Sequence, residues 1–468
     1  MGWLAWVAFV PWILWLEECS PRRAFLSGYW TGLIFFGATM WWVGCVAISG
    51  VIPLVAALAL YFAAWGWLAN RFLRTRPVLS ILLLPAAWTV LEYLRSHLLT
   101  GLGWNLLAHT QWNWVLIIQI AAFTGVWGVS FLVVLVNAVI YRCIIKKKNQ
   151  VLLLLAGLCL VGAGIYSRNV LEDLDACKPL EHVRVVLFQG NVPQVHKWDE
   201  AFQEAIWKRY EELMAKTVKE KPALIVWPET AVPGYLEDPA IEDRLKEISR
   251  SAGVEMLVGL PTEDPESQLP YNSALLLGRD GEERARYSKI HLVPFGEFIP
   301  IKPVFGWLKK FYPVADFAPG KEWTIFPARP PVSVLICFED LFPEMARRFV
   351  RQGAGWLLVI TNDAWFGRSA ASVQHLQASV FRAVENRVWL GRAANTGWTG
   401  FVDPAGRRLP FPGQIPRFKP GVAVAEVPVL SRRVTFYTRW GDWFPILCLG
   451  LTGLALIMKS LDGNSRSA

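Results

Sequence analysis

Long apolar runs fill the first third of the chain, at residues 24–47, 51–69, 77–94, 114–141 and 151–166, and one more lies near the end, at 443–459. A bilayer hydrocarbon core about 30 Å thick is crossed by roughly 20 apolar residues in a helix. Each run therefore predicts a membrane-crossing helix, some with tilt or help from flanking residues. Segment 3–16 is shorter and lacks the basic n-region of a secretory signal, so it is expected to form a short membrane helix. Between these regions the pattern changes. Short β-rich runs appear at 182–188, 223–227, 254–258, 273–277, 332–336 and 356–360, with amphipathic helical stretches at 199–219, 240–252 and 370–386. Strands alternating with helices predict an α/β domain. The expected organisation is a transmembrane helix bundle over 1–166, a water-facing domain over 167–442, and a final transmembrane helix and tail over 443–468.

Composition sharpens this picture. Hydrophobic residues make up 54% of the chain, above the 45–50% usual for soluble domains, and the excess sits in the apolar runs. Many of the 25 Trp, such as Trp41, Trp42, Trp65, Trp67, Trp112 and Trp114, lie near the ends of those runs. That position suits either the headgroup level of a bilayer or packing between helices. The net charge is +9, but the basic residues cluster in short loops rather than on one face of a soluble fold, which argues against nucleic acid as a partner. Arg22, Arg23, Arg71, Arg74, Arg76, Arg142, Lys146, Lys147, Lys148, Lys459 and Arg466 occupy loops 17–23, 70–76 and 142–150 and the tail, whereas loops 48–50 and 95–113 carry only Arg95. The positive-inside rule then places 167–442 on the extracytoplasmic side and the tail in the cytoplasm. Several crossings exceed what anchoring requires, so the bundle is expected to contribute to a lipid or substrate site. Glu92, Asn105 and His109 are candidates for that role or for tying helices together.

The seven Cys show no metal-type spacing. Cys19, Cys45, Cys143, Cys159 and Cys448 lie in or beside apolar runs and read as packing residues, which leaves Cys177 and Cys337 in the middle block. Three strand ends there carry reactive side chains. Glu229, in Trp227-Pro228-Glu229-Thr230, directly follows a buried run and a proline turn, where partial desolvation favours a base near neutral pH. Lys289, in Ser288-Lys289-Ile290-His291, lies among apolar residues and is suited to stabilising an oxyanion; His291 reads as structural. Cys337, in Ile336-Cys337-Phe338-Glu339-Asp340, ends an apolar strand where a turn exposes its sulfur, and a nearby base and cation would generate thiolate. Taken singly, each has a bland alternative: a solvated carboxylate, a surface ion-pair lysine, a buried small hydrophobe.

In this order and spacing the three segments resemble the Glu, Lys and Cys motifs of the nitrilase superfamily. The resemblance implies a four-layer αββα sandwich, with Glu229 as base, Lys289 as oxyanion stabiliser and Cys337 as nucleophile, and no metal or cofactor. Further segments narrow the likeness to the apolipoprotein N-acyltransferase family: Phe188-Gln189-Gly190-Asn191-Val192-Pro193-Gln194 leading to Lys197-Trp198-Asp199, His291 through Phe298, Thr361-Asn362-Asp363-Ala364-Trp365-Phe366-Gly367, and Thr435 through Arg439 followed by Gly441-Asp442-Trp443. That family implies Trp198, Glu297, Phe338 and Glu339 as supporting residues, with Glu297 orienting Lys289 or the incoming amine. It also implies a phospholipid acyl donor, a diacylglyceryl apolipoprotein acceptor, and a multi-pass protein of the cell (inner) membrane. Acyl transfer would proceed through a Cys337 thioester. Two departures stand out. Position 338 is Phe where the family often has Tyr, and the family's eight helices imply that this chain starts at the end of the first or the start of the second. Two rival readings remain at this level: a membrane-tethered nitrilase-type amidase, and a transporter or receptor with an extracytoplasmic sensor.

Residues 301–318 combine Phe305, Trp307, Leu308, Phe311, Tyr312 and Phe317 with Lys309 and Lys310. Aromatics interleaved with lysines suit a headgroup region, so this segment is expected to be a lid that dips into the outer leaflet. The plain alternative is a loop packed on the sandwich.

Overall fold

The computed structural model describes residues 2–75, 77–145, 150–307, 316–409, 415–431 and 434–464. Arg76, Lys146, Lys147, Lys148 and Arg466, and Leu308 through Tyr312 of the aromatic segment, lie outside the described residues. Contacts divide the chain into two units, Met1–Asp175 with Thr435–Ala468, and Ala176–Val434.

The first unit is helical. It comprises α1 (Val10–Glu18), α2 (Pro21–Met40), α3 (Ile48–Leu73), α4 (Pro77–His97), the single turns α5 (Val115–Ile118) and α6 (Ala121–Thr124), α7 (Val126–Ile145) and α8 (Gln150–Asp175). Among the described residues, Ile48–Leu73, Val78–His97, Val126–Ile144 and Trp443–Leu461 are long and apolar enough to cross a membrane. Helices of apolar sequence gain little from excluding lipid, so they associate where small residues let backbones approach. Gly28 and Gly32, one turn apart on α2, supply that contact. A Cβ on Gly28 would lie 2.4 Å from the Phe62 carbonyl oxygen, and one on Gly32 would lie 2.7 Å from the Ala59 Cα, both on α3.

Backbone groups at helix ends need partners when water is absent, and buried asparagines provide them. Asn137 on α7 accepts from the Phe9 N–H (2.9 Å) and donates to the Ala5 carbonyl (2.8 Å). Asn70 donates to the carbonyls of Leu16 (2.7 Å) and Cys19 (2.9 Å) at the other end of α1. Glu92 accepts from the Leu107 N–H (2.7 Å) and Arg95 donates to the Trp104 carbonyl (2.7 Å). Of the two roles open to Glu92, tying the irregular chain beyond α4 to the helix is the one its bond to Leu107 performs.

One expectation is revised here. The run 114–141 is not one helix: it breaks at Gly125, whose φ of 69° ends α6 and whose Cα packs against the Tyr437 ring. The tryptophans divide between both of their possible roles. Trp65 is fully buried, with its ring edge-on to Phe9 and Trp88, and Trp42 is buried against Trp104, whereas Trp41 and Trp114 are exposed.

The second unit holds two sheets. One has the order β10-β1-β2-β3-β4-β5 and the other β6-β7-β8-β9. The strands are β1 (Glu181–Gln189), β2 (Leu224–Val226), β3 (Glu255–Glu263), β4 (Pro270–Leu277), β5 (Glu283–Ser288), β6 (Val332–Ile336), β7 (Trp356–Thr361), β8 (Trp389–Ala394), β9 (Gly400–Val402) and β10 (Gly421–Val429). β1, β2 and β3 run parallel, as do β6, β7 and β8, so their C-terminal ends can gather side chains at one edge. The sheets pack face to face through β1 with β8 and β4 with β6; Gly391 is small enough to sit against Leu187. Helices α9 (Glu200–Thr217) and α10 (Pro239–Ala252) cover the outer face of the larger sheet through Trp207, Tyr210, Leu213 and Leu245. α11 (Lys302–Phe305) is a single turn, and α12 (Pro343–Gln352) and α13 (Ala371–Asn386) cover β6, β7 and β8. The result is the four-layer αββα sandwich that the sequence resemblance implies. The chain then returns to the first unit through α14 (Phe436–Trp440) and α15 (Trp443–Asn464). There Asp442 accepts from Trp127 Nε1 (2.8 Å) and the Tyr437 hydroxyl (3.0 Å).

The close approach of α2 to α3 gives a direct test. Gly32→Leu should lower stability by about 1–3 kcal/mol, the usual cost of overpacking, seen as a lower thermal midpoint in detergent. Gly37→Ala on the same helix, where a Cβ meets nothing within 4 Å, should leave the midpoint unchanged.

Candidate active site

β6 ends at Ile336, and Cys337 opens a 3-10 helix, Cys337–Leu341, with a φ of 51°. This left-handed conformation costs a non-glycine residue about 1–3 kcal/mol and persists only where its surroundings impose it. Glu339 is one such imposition. Its carboxylate accepts from the N–H groups of Ile336 (2.8 Å), Ile290 (2.7 Å) and His291 (3.1 Å) and from the Tyr287 hydroxyl (2.8 Å). It therefore clamps the elbow to the chain that carries Lys289. Burial pushes Glu339 up to about 7, against the opposing pull of the Ile336 and His291 amides, Lys289 and Tyr287.

Glu229 follows β2 and is 4% exposed. One carboxylate oxygen accepts from Asn272 Nδ2 (2.7 Å) and the other from the Asn362 N–H at the end of β7 (2.7 Å). The turn that carries it lies directly on β3: a Cβ at Gly259 would come within 2.4 Å of the Pro228 carbonyl oxygen and 2.8 Å of the Glu229 Cα. Lys289, 1% exposed, donates to Glu297 at 2.8 Å and has the Glu229 carboxylate 3.8 Å away. Asn272 Nδ2 spans both carboxylates, reaching Glu297 at 3.1 Å, and the Val293 N–H fixes the other Glu297 oxygen at 2.8 Å. Burial alone would depress Lys289, but Glu297, Glu229 and Cys337 together hold it above the ordinary lysine range.

The Cys337 thiol shares this site. Burial and the Glu229 carboxylate push it well above the usual range, while Lys289 and a Thr361 hydrogen bond pull it down and Asp363 adds to the rise. Burial therefore favours the protonated form of this sulfur, because a third anion in a dry site costs more than Lys289 returns. A thiol, a carboxylate and an ammonium in mutual electrostatic reach can act as nucleophile, base and oxyanion donor.

Two stretches of the chain match known families. Residues 1–139 match the apolipoprotein N-acyltransferase N-terminal domain, and residues 184–435 match the carbon-nitrogen hydrolase family. The chain is 38% identical to the apolipoprotein N-acyltransferase of Geobacter metallireducens, over 98% of this chain and 92% of that one. It is 34% identical to the protein of the same name from Methylococcus capsulatus, over 97% and 91%, and 32% identical to that from Chlorobaculum tepidum, over 98% and 92%. The chain belongs to the apolipoprotein N-acyltransferase family. Among solved structures, it is similar to an amidase of the nitrilase superfamily from Nesterenkonia (23% identity, TM-score 0.41, 56% of this chain and 95% of that one) and to the C. elegans NitFhit protein (19%, TM-score 0.43, 54% and 62%).

Within this member of the family, Glu229, Lys289, Cys337, Glu297 and Glu339 converge on one buried site, and Trp198 and Phe338 sit differently. Trp198 is 48% exposed, whereas its neighbour Lys197 is buried and donates to the Glu229 carbonyl at 3.0 Å. Phe338 is buried in a ring cluster, edge-on to Phe342 and tilted against His291. Sequence reasoning missed Lys197, Asn272 and a fully buried group made by Asp340, Asp363, His375 and Arg392. Lys197 stood inside a quoted motif, and its place beside Trp198 was the available signal. Burial pulls Lys197 down to about 7, against the opposing influence of Glu229 and Cys337.

That depression makes a pH prediction. The unfolded chain holds the Lys197 proton up to pH 10.5 and the folded chain releases it near 7, so the unfolded state binds more protons between those values and stability rises with pH there. Below pH 7 the cost is present in full. Lys197→Met removes it, so the unfolding free energy of wild type, measured by denaturant, should gain on that of the variant as pH rises from 7 to 10, by about 1.4 kcal/mol per pH unit. A gap that does not change with pH would place Lys197 at its ordinary value.

Proposed function

We propose that this chain transfers a fatty acyl group from the sn-1 ester of a phospholipid to the α-amine of the N-terminal diacylglyceryl-cysteine of an apolipoprotein, through a Cys337 thioester. The observation that carries the reading is the buried trio itself, a Cys337 thiol coupled to the Glu229 carboxylate and the Lys289 ammonium, on a chain that also has membrane-length apolar helices. Relatives named as apolipoprotein N-acyltransferases match across both regions, and this leaves the amidase alternative without support.

Glu229 takes the thiol proton as sulfur adds to the ester carbonyl. The proton moves within the site, so no net charge enters it. Lys289 Nζ and the N–H of Phe338 receive the oxyanion. The tetrahedral adduct collapses, Glu229 returns the proton to the leaving lysophospholipid oxygen, and the thioester remains. The lipopeptide amine then adds to the thioester carbonyl, Glu229 accepts its proton, and the sulfur leaves to regain a proton as the amide forms. Asn272 and Asn362 hold Glu229 in line for both halves of the reaction. By charge distribution, residues 167–442 carry this chemistry on the extracytoplasmic side of the cell (inner) membrane.

Intact mass spectrometry tests the reaction. Wild-type protein mixed with phospholipid should gain one acyl mass that hydroxylamine removes, and Cys337→Ala should gain none while remaining folded. N-acylation by Cys337→Ala would sink the mechanism, and Lys289→Met should slow acylation about 100–1000-fold. For orientation, a membrane-impermeant thiol reagent should label Cys177, which is partly exposed, in intact spheroplasts. A cysteine introduced by Lys147→Cys should react only after permeabilisation. The reverse pattern would overturn the assigned side.

A further inference from the structure

Next to the turn that carries Cys337 lies a buried polar group that the mechanism above does not use. His375 on α13 is fully buried. Its Nε2 lies 3.2 Å from the Cys337 carbonyl oxygen and 2.8 Å from Asp340 Oδ1. Its Nδ1 lies 2.9 Å from Asp363 Oδ1 and 2.9 Å from Arg392 Nη2. Arg392 on β8 donates to Asp340 (2.9 Å) and Asp363 (3.2 Å), and the Ser379 hydroxyl donates to Asp340. These residues come from α13, β8, the end of β7 and the elbow itself, so the imidazole is held from every side.

Both neighbours of Nε2 are acceptors, which requires a proton on that nitrogen whatever Nδ1 carries. The bond to the Cys337 carbonyl is therefore a donation by His375. The Cys337–Phe338 peptide is trans, so its carbonyl and the N–H of Phe338 point in opposite directions. Phe338 is buried, and its N–H, in the first turn of the 3-10 helix, has no acceptor among the described residues. A buried N–H without a partner is rare and costly, and here it faces away from His375.

We infer that His375 is the positioning residue of the oxyanion site: by holding the Cys337 carbonyl on the buried side of the elbow, it turns the peptide so that the Phe338 N–H is presented to the reacting carbonyl. The inference rests on the acyl-transfer reading, since only a reaction through a tetrahedral oxyanion uses that N–H. If His375 only packed the core, its loss would lower stability without separating one reaction of Cys337 from another.

The test compares two reactions of the same sulfur in the purified full-length chain. Iodoacetamide alkylates Cys337 by displacement at a saturated carbon, with no oxyanion; the rate is read by mapping the Cys337 peptide in a mass spectrometer. Acylation by phospholipid in mixed micelles passes through the oxyanion. His375→Leu and His375→Met remove the donor in two shapes, and His375→Gln keeps an N–H donor. The donor-less variants should acylate about 10–1000-fold more slowly at saturating phospholipid, the range from a weakened donor to a lost one, with half-saturation unchanged. Alkylation should stay within about threefold of wild type, too small a change to account for a lost donor, and this certifies that each preparation is folded around its nucleophile. His375→Gln should recover most of the acylation rate. Equal loss of alkylation and acylation would assign His375 to the core or to the thiol and overturn the inference, as would unchanged acylation. Wild-type protein that alkylates but takes no acyl group from phospholipid would remove the acyl-transfer reading first, and the inference with it.

Discussion

Burying the Lys289 ammonium is the constraint around which the site is arranged. An unpaired ion in a dry interior costs several kcal/mol, and Lys289 is 1% exposed. Glu297 at 2.8 Å and Glu229 at 3.8 Å supply the counter-charge, and two carboxylates side by side in turn require donors. Asn272 meets both, and the backbone amides of Val293 and Asn362 meet one each. These donors come from β4, from the chain after Lys289 and from the end of β7, so the charge balance fixes the relative placement of three segments. Lys197, donating to the Glu229 carbonyl, brings a second buried amine. A resting thiolate would upset the balance. In the proposed mechanism, passing the thiol proton to Glu229 leaves the site's total charge unchanged.

The elbow at Cys337 is held between this site and a second buried group. Glu339 gathers four donors. The elbow is also bonded to the group of Asp340, Asp363, His375 and Arg392, in which Arg392 and the His375 imidazole lie between two carboxylates; Asp340 and Asp363 keep their acidity despite burial because Arg392 and His375 offset it. Burial would pull His375 down, yet Asp340 and Asp363 raise it to about 9 against Arg392. Replacing such a group with apolar residues is often no less stable; here it borders the left-handed φ at Cys337, whose carbonyl oxygen lies 3.2 Å from His375 Nε2.

Much of this was legible in the sequence and some was not, for physical reasons. The apolar runs at 182–188, 332–336 and 356–360 became β1, β6 and β7, since strands buried on both faces read as continuous hydrophobic stretches. β5, with Glu283, Arg284 and Arg286 on an edge, and β8, interrupted by Gly391 and Arg392, gave no such run. Pro428 hid β10, although proline is tolerated on the edge strand that β10 is. Glu229 and Cys337 could be read because each follows an apolar strand, β2 and β6, whereas Lys289 follows the charged β5 and stood out only through the apolar residues after it. Lys197 in a turn, Asn272 on a strand and His375 on a helix could not, because a polar residue looks solvated until its neighbours are known. Gly125 likewise looks harmless within an apolar run; its φ of 69° and the Tyr437 ring beside it, far along the chain, are visible only in the folded structure.

The phenylalanine at 338 is where sequence and geometry meet most closely. A family that often carries a phenol there invites the idea that its hydroxyl takes part in the chemistry. In this chain the ring is buried against Phe342 and His291, and His291 in turn stacks on Phe342 at 3.8 Å. A ring packed in this way stiffens the turn that follows the nucleophile, and it does so without an oxygen. The atom of residue 338 that can meet a developing oxyanion is its backbone N–H, which every residue but proline supplies. The chemistry therefore constrains the peptide plane at this position, and packing constrains the ring. A Phe satisfies both, because the orientation of the plane is set by His375 and Glu339 rather than by anything the side chain of 338 carries at its tip.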